Sequence, residues 1–146
     1  PTAPMSETDG SARSCADGRQ WPPMEERAAL PNAVNDAHDF WLWLDLRVRD
    51  LPTAARHTVG ARMLTTSIDL LELLIQATYA RRGSNTRHQS LARANVKLAL
   101  LRLLVRGCRD RHYISIGQYE QAIEKLVALG KLVGAWLKSA QPPPEA

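Results

Sequence analysis

The sequence predicts an all-α protein, folded as an antiparallel up-down-up-down four-helix bundle. Three observations support that class. Leu, Ala and Arg are abundant, whereas the aromatic residues of all 146 positions are four Trp, three Tyr and one Phe; this mixture suits helices better than strands. Apolar residues recur at helical spacing over four stretches. The links between those stretches, at 51–53, 83–86 and 111–115, are short, which favours antiparallel neighbours. An apolar content of 45% over this length allows one domain with a real core and leaves no room for two comfortable ones.

Residues 1–31 mix Pro, Ser, Thr, Gly and acids without apolar periodicity. Such a stretch buries too little surface to offset the entropy of ordering, so a disordered leader is expected. The bundle is expected over 32–140. Its first helix, about 35–50, carries Phe40, Leu44, Val48 and Leu51 at helical spacing. Asp36 and Asp39 fall in its first turn, near the positive end of the helix dipole, and Pro52 ends it.

The second helix, about 53–82, takes Thr53 as N-cap and Gly83 as its stop. Positions 63, 64, 68, 70, 71, 73, 74 and 75 are all apolar, wider than a single stripe, so burial on more than one side is expected, in a bundle or at a subunit contact. The third, about 86–110, opens on a capping box of Thr86 and Gln89, and the fourth, about 115–138, on a second box of Ser115 and Gln118. The tail at 141–146, QPPPEA, stops the last helix and is expected to be disordered.

Charge and composition narrow the function. The longest apolar runs fall well short of the roughly 20 residues that cross a bilayer, and no charged-apolar-small signal segment opens the sequence, so a cytoplasmic protein is expected. Cys15 and Cys108 lie far apart, with no CxxC or Cys/His ligand spacing near them; neither a disulfide scaffold nor a zinc site is expected. Net charge is +4, but it is unevenly spread. Residues 1–50 hold nine acids and five bases, whereas 81–112 hold nine bases against the single acid Asp110. That excess points to an anionic partner.

The bases of that segment are Arg81, Arg82, Arg87, Arg93, Lys97, Arg102, Arg106, Arg109 and Arg111. On a helical wheel Arg102, Arg106 and Arg109 share one narrow stripe, with Arg93 and Lys97 nearly opposite. The plain reading is a set of solvated side chains covering the flanks of an apolar helix. The functional reading is phosphate neutralisation, which arginine forks suit. Intrahelical pairing does not explain the arginines, because acids are nearly absent. No zinc finger, homeodomain or aromatic RNA-binding motif supports sequence-specific readout.

Three other features bear on function. The tryptophans Trp41, Trp43 and Trp136 sit among apolar neighbours and read as packing rather than base-stacking residues. Asp69 and Glu72 have the i, i+3 spacing of paired carboxylates, but no Glu-x-x-His pair accompanies them, so a polar edge, or pairing with arginines of a neighbouring helix or subunit, is expected in place of a metal. Arg106 with His112, and Arg82 with His88, have the Arg-x5-His look of HEPN-type helical ribonucleases, in which a histidine acts as general acid-base beside a scissile phosphate. Both pairs straddle expected helix ends, and no enzyme activity and no cofactor is expected.

The blocks LTTSIDLLELLIQATYARR, LARANVKLALLRLLVR and YISIGQYEQAIEKLVALGKLVGAWLKS resemble the Avd family, the accessory variability proteins of diversity-generating retroelements, relatives of the four-helix proteins encoded in rRNA intervening sequences. The likeness runs over about 35–139, and its most specific part is the pattern of Gly130, Gly134, Trp136 and Leu137 in the last block. Glycines so placed permit close backbone approach, hence a tight packing surface. The resemblance implies a homopentameric barrel with a basic surface, a reverse transcriptase as partner, and RNA or DNA bound without sequence preference. It maps a third-helix pair of arginines onto Arg102 and Arg106, which rank first as nucleic-acid or polymerase contacts, ahead of Arg81, Arg82 and Arg87. The alternatives are a HEPN-like ribonuclease and an intervening-sequence-type bundle with no retroelement link.

Overall fold

Helical spacing in the sequence becomes five helices of six residues or more among the described residues, 24–140, of the computed structural model, with side chains described from 27 onward. They are α1 (Met24–Ala29), α2 (Asn32–Arg49), α3 (Ala61–Tyr79), α4 (Asn85–Asp110) and α5 (Ile116–Ser139). A three-residue helix, Thr53–Ala55, and a π turn, Arg56–Gly60, lead into α3. No strand occurs among the described residues. The chain divides into a unit of 1–31, which holds α1, and a unit of 32–146. The short helix α1 lies inside the stretch expected to lack structure; the remainder of that expectation, over 1–23, and the tail at 141–146 fall outside the described residues.

Each long helix turns a stripe of apolar residues inward. The stripe is Phe40, Leu44 and Val48 on α2, Met63, Leu70, Leu74 and Ala77 on α3, Leu91, Leu98, Leu101 and Val105 on α4, and Leu126, Leu129 and Val133 on α5. Burying one such Leu or Phe contributes about 1.5–3 kcal/mol. Helix α2 packs on α3 and α5, and α4 packs on the same two. Thr66 and Ser67 also enter the core; Ser67 donates to the Leu64 carbonyl at 2.8 Å, while the Thr66 hydroxyl has no partner. Among the described residues, helix α3 is covered on one side only. Ile68, Ile75 and Tyr79 remain exposed, Tyr79 at 82%.

The helix ends correct several expectations. Helix α2 begins at Asn32, so Asp36 and Asp39 lie beyond its first turn, which contains no acid. Pro52, not Thr53, is the N-cap before the π turn, with no side-chain cap bond; the Thr53 hydroxyl instead accepts from Arg56 at 3.1 Å. Proline pre-sets the backbone for helix entry, so Thr53 is already inside. Gly60 permits the π turn to sit against α2, since a Cβ there would meet Val48 Cγ1 at 2.9 Å.

Helix α3 stops at Tyr79 with Ala80 as C-cap, before the expected 82. Gly83 takes its left-handed φ of +74° inside the following turn. The N-cap of α4 is Ser84, which accepts from the Arg87 backbone at 3.2 Å and so displaces the expected Thr86–Gln89 box. The Ser115–Gln118 box forms in both directions, at 3.1 and 3.0 Å.

Candidate nucleic-acid interface

Nine bases within one segment of the sequence do not form one surface, because α4 spreads them along its length. At about 1.5 Å per residue its length puts roughly 38 Å between the turn that carries Arg81 and Arg82 and the turn that carries Arg111. The two wheel positions also face different neighbours. Lys97 reaches back to α3 and pairs with Asp69 at 3.5 Å, and Arg93 lines the same open groove as Asp69 and Glu72. The neighbouring-helix partner of Asp69 is therefore a lysine, not the arginine expected.

The opposite stripe faces α5. Arg102 donates to the Leu126 carbonyl at 3.4 Å, and its Nε is buried without a partner. Gly130 provides the space: a Cβ at that position would collide with the Arg102 guanidinium. The close approach expected at Gly130 is thus made by an arginine side chain, not by a second backbone. Nothing lies within 4 Å of a Cβ built on Gly134. Trp136 and Leu137 are both half-buried near the end of α5.

Arg109 lies over the Tyr119 ring at 4.4 Å and pairs with Asp110 at 2.9 Å. The Asp110 hydrogen bond holds its pKa above the ordinary guanidinium value. Arg106 and Arg111 are exposed and have no acid partner among the described residues, and the same is true of Arg81, Arg82 and Arg93.

Arg87 has a different role. Its Nε donates to the Ala77 carbonyl at 2.9 Å, and its NH2 group donates to Ala80 at 2.8 Å and Thr78 at 3.3 Å. These are the carbonyls that the end of α3 leaves without intrahelical donors. The Arg87 guanidinium is a C-cap delivered from the next helix, and its engagement there removes it from the freely available bases.

One end of the helix array gathers bases that sequence reasoning did not rank. A small apolar cavity is lined by Trp43, Arg47, Leu51, Met63, Cys108 and Gln118, so the end of α2, the start of α3, the end of α4 and the start of α5 meet there. Cys108 Sγ lies 4.0 Å from Met63 Sδ, and burial pushes the Cys108 thiol up. Around this end stand Arg47, Arg49, Arg56 and Arg62, together with Arg106, Arg109 and Arg111. The available signal was a helix start that carries Arg56 and no acid.

Of the ribonuclease-like pairs, His112 adopts a left-handed φ of 62° in the turn after α4, and the His88 Nδ1 is buried without a partner. Neither histidine hydrogen-bonds its arginine. Trp43 stacks on Phe40 at 6.0 Å between centroids, with Arg47 and Lys125 over its ring at 5.4 and 5.8 Å; it is a packing residue. Among the described residues no three His, Cys, Asp or Glu side chains group as metal ligands would, and no helix is long and apolar enough to cross a membrane.

Neither the curated proteins nor the solved structures contain a match to this chain. The family model described as bAvd-like matches residues 35–140, which include all four long helices except the first three residues of α2, and the chain belongs to that family.

Proposed function

We propose that this chain is a non-catalytic accessory protein of a diversity-generating retroelement, which holds the reverse transcriptase and its template RNA together during mutagenic cDNA synthesis and retrohoming. The observation that carries the reading is the set of exposed arginines without acid partners, Arg81, Arg82, Arg93, Arg106 and Arg111, on a member of the bAvd-like family. Unpaired guanidiniums on helices and on the turns that join them attract phosphate and cost little to desolvate. In this reading α2 to α5 run as an antiparallel up-down-up-down bundle, consistent with their short turns. Five copies close into a barrel in the cytoplasm, with exposed Ile68, Ile75 and Tyr79 on α3 available for subunit contact.

Reconstitution tests it. With purified reverse transcriptase and template RNA, the protein is expected to form a ternary complex on gel filtration, to scatter light as a pentamer when alone, and to raise cDNA yield. A polymerase that neither binds this protein nor responds to it overturns the reading. So does metal-free RNA cleavage by wild type that is lost in His112→Ala or His88→Ala, which would make the protein a nuclease.

A further inference from the structure

We propose that the end of the helix array where α2 and α4 finish and α3 and α5 start is a docking face for the phosphate backbone of single-stranded nucleic acid, with Arg56 and Arg62 as contacts alongside Arg106 and Arg111. This rests on the nucleic-acid part of the proposed function and goes beyond it. It keeps Arg106 of the α4 pair, sets Arg102 aside, and adds Arg56 of the π turn and Arg62 of α3.

Part of the basic character here has a local explanation. Arg47 and Arg49 occupy the last turn of α2 and Arg109 the last turn of α4, where cations favour the negative end of the helix dipole. Arg49 also pairs with Asp45 at 3.1 Å, and Arg109 with Asp110.

Arg56 and Arg62 have no such explanation, and Arg106 and Arg111, which share the C-terminal end of α4, have no acid partner among the described residues. Arg56 sits in the first turns after Pro52, at a helix start, where a cation opposes the dipole and destabilises the helix. No acid stands in the first turn of the Thr53 segment, of α3 or of α5 to offset it. Arg62 follows on α3, exposed, and Arg106 and Arg111 close the set from α4. Among the described residues at these helix ends, Asp50 and Glu120 are the acids outside the ion pairs, and both are exposed.

The arrangement is also rigid. Gly60 seats the π turn directly against Val48 and Leu51, so the backbone that carries Arg56 is held to the end of α2. A Schellman-type turn, in which Tyr113 N–H donates to the Cys108 carbonyl at 2.8 Å and His112 N–H to Arg109 at 2.9 Å, holds Arg111 in place. Uncompensated positive charge on a preorganised surface with little acid suits a polyanion better than a polymerase surface of mixed charge. Arg102, by contrast, lies folded into the notch at Gly130.

The test measures fluorescence anisotropy of a labelled oligouridylate over a salt series. It compares wild type, the double variant Arg56→Gln, Arg62→Gln, and the charge-matched double variant Lys131→Gln, Lys138→Gln on α5, with helicity and melting recorded for each. Removing two guanidiniums that each neutralise a phosphate of a single strand makes the slope of log affinity against log salt shallower by about 1.4, with roughly a tenfold fall in affinity near physiological salt. That is the expected result for the arginine variant, and the lysine variant should change little. An arginine variant with wild-type affinity and slope overturns the inference and leaves the proposed function standing. Wild type that fails to bind at low salt overturns both. Retained RNA binding with lost reverse-transcriptase binding in the arginine variant also overturns it, and assigns the face to the polymerase.

Discussion

The turns at either end of α4 solve one problem in opposite ways. At the α3–α4 turn the open carbonyls of α3 are satisfied by Arg87, a side chain reaching back from the next helix. At the α4–α5 turn the backbone satisfies itself, through the Cys108–Tyr113 and Arg109–His112 bonds and the Ser115–Gln118 box. The first turn uses an arginine as structure; the second leaves Arg106 and Arg111 unengaged. Equal basicity in sequence therefore divides into a structural base and available ones according to how each helix end is capped.

The largest expected effect tests that division directly. Arg87→Ala strips charged donors from three carbonyls and should lower unfolding stability by about 2 kcal/mol in urea titration. Arg111→Ala should stay within about 0.5 kcal/mol. Equal effects would erase the contrast between the turns.

The two left-handed residues come next. Gly83, at φ +74°, has the residue its conformation requires, whereas His112, at φ 62°, does not. Gly83→Ala should cost about 1 kcal/mol and His112→Gly should gain a similar amount, read as opposite shifts in melting temperature. A gain at Gly83 would break the comparison.

Capping is the third test. Ser115→Ala should cost about 1 kcal/mol and expose the Gln118 amide to hydrogen exchange, while Thr86→Ala, which removes no cap and adds a better helix former, should leave stability unchanged or slightly raised. The smallest effect concerns pH. Burial raises the Cys108 thiol, so the folded chain keeps its proton where the unfolded chain begins to lose it. This contribution is complete below the ordinary thiol pKa and declines as pH rises through the folded value. Stability measured against pH should decline less steeply at alkaline pH in Cys108→Ala than in wild type.

The helical class was legible because Phe40, Leu44 and Val48, or Leu91, Leu98 and Leu101, repeat at a spacing that only a helix turns to one side. The ends were harder to read. Ser84, Asn85 and Thr86 are three competent caps in a row, and their choice depends on where α3 releases the chain. The π turn at Arg56–Gly60 has no periodic signature; it follows from Gly60 meeting Val48 and Leu51. The candidate site was legible as charge but not as place. Nothing local tells that Arg87 turns inward to α3, that Arg102 bends onto α5, or that Arg56 and Arg62 join Arg111 across a sequence gap. Those are properties of how helices meet.

The notch at Gly130 binds the history of two positions together. Arg102 fills the space that a Cβ at 130 would occupy, so a side chain at 130 displaces the flexible end of Arg102 and, with it, the bond to the Leu126 carbonyl. The two sites lie on different helices, yet what stands at 130 sets where the guanidinium of 102 rests. Gly134, one turn further along α5 and free of any such neighbour, carries no equivalent constraint from within the chain.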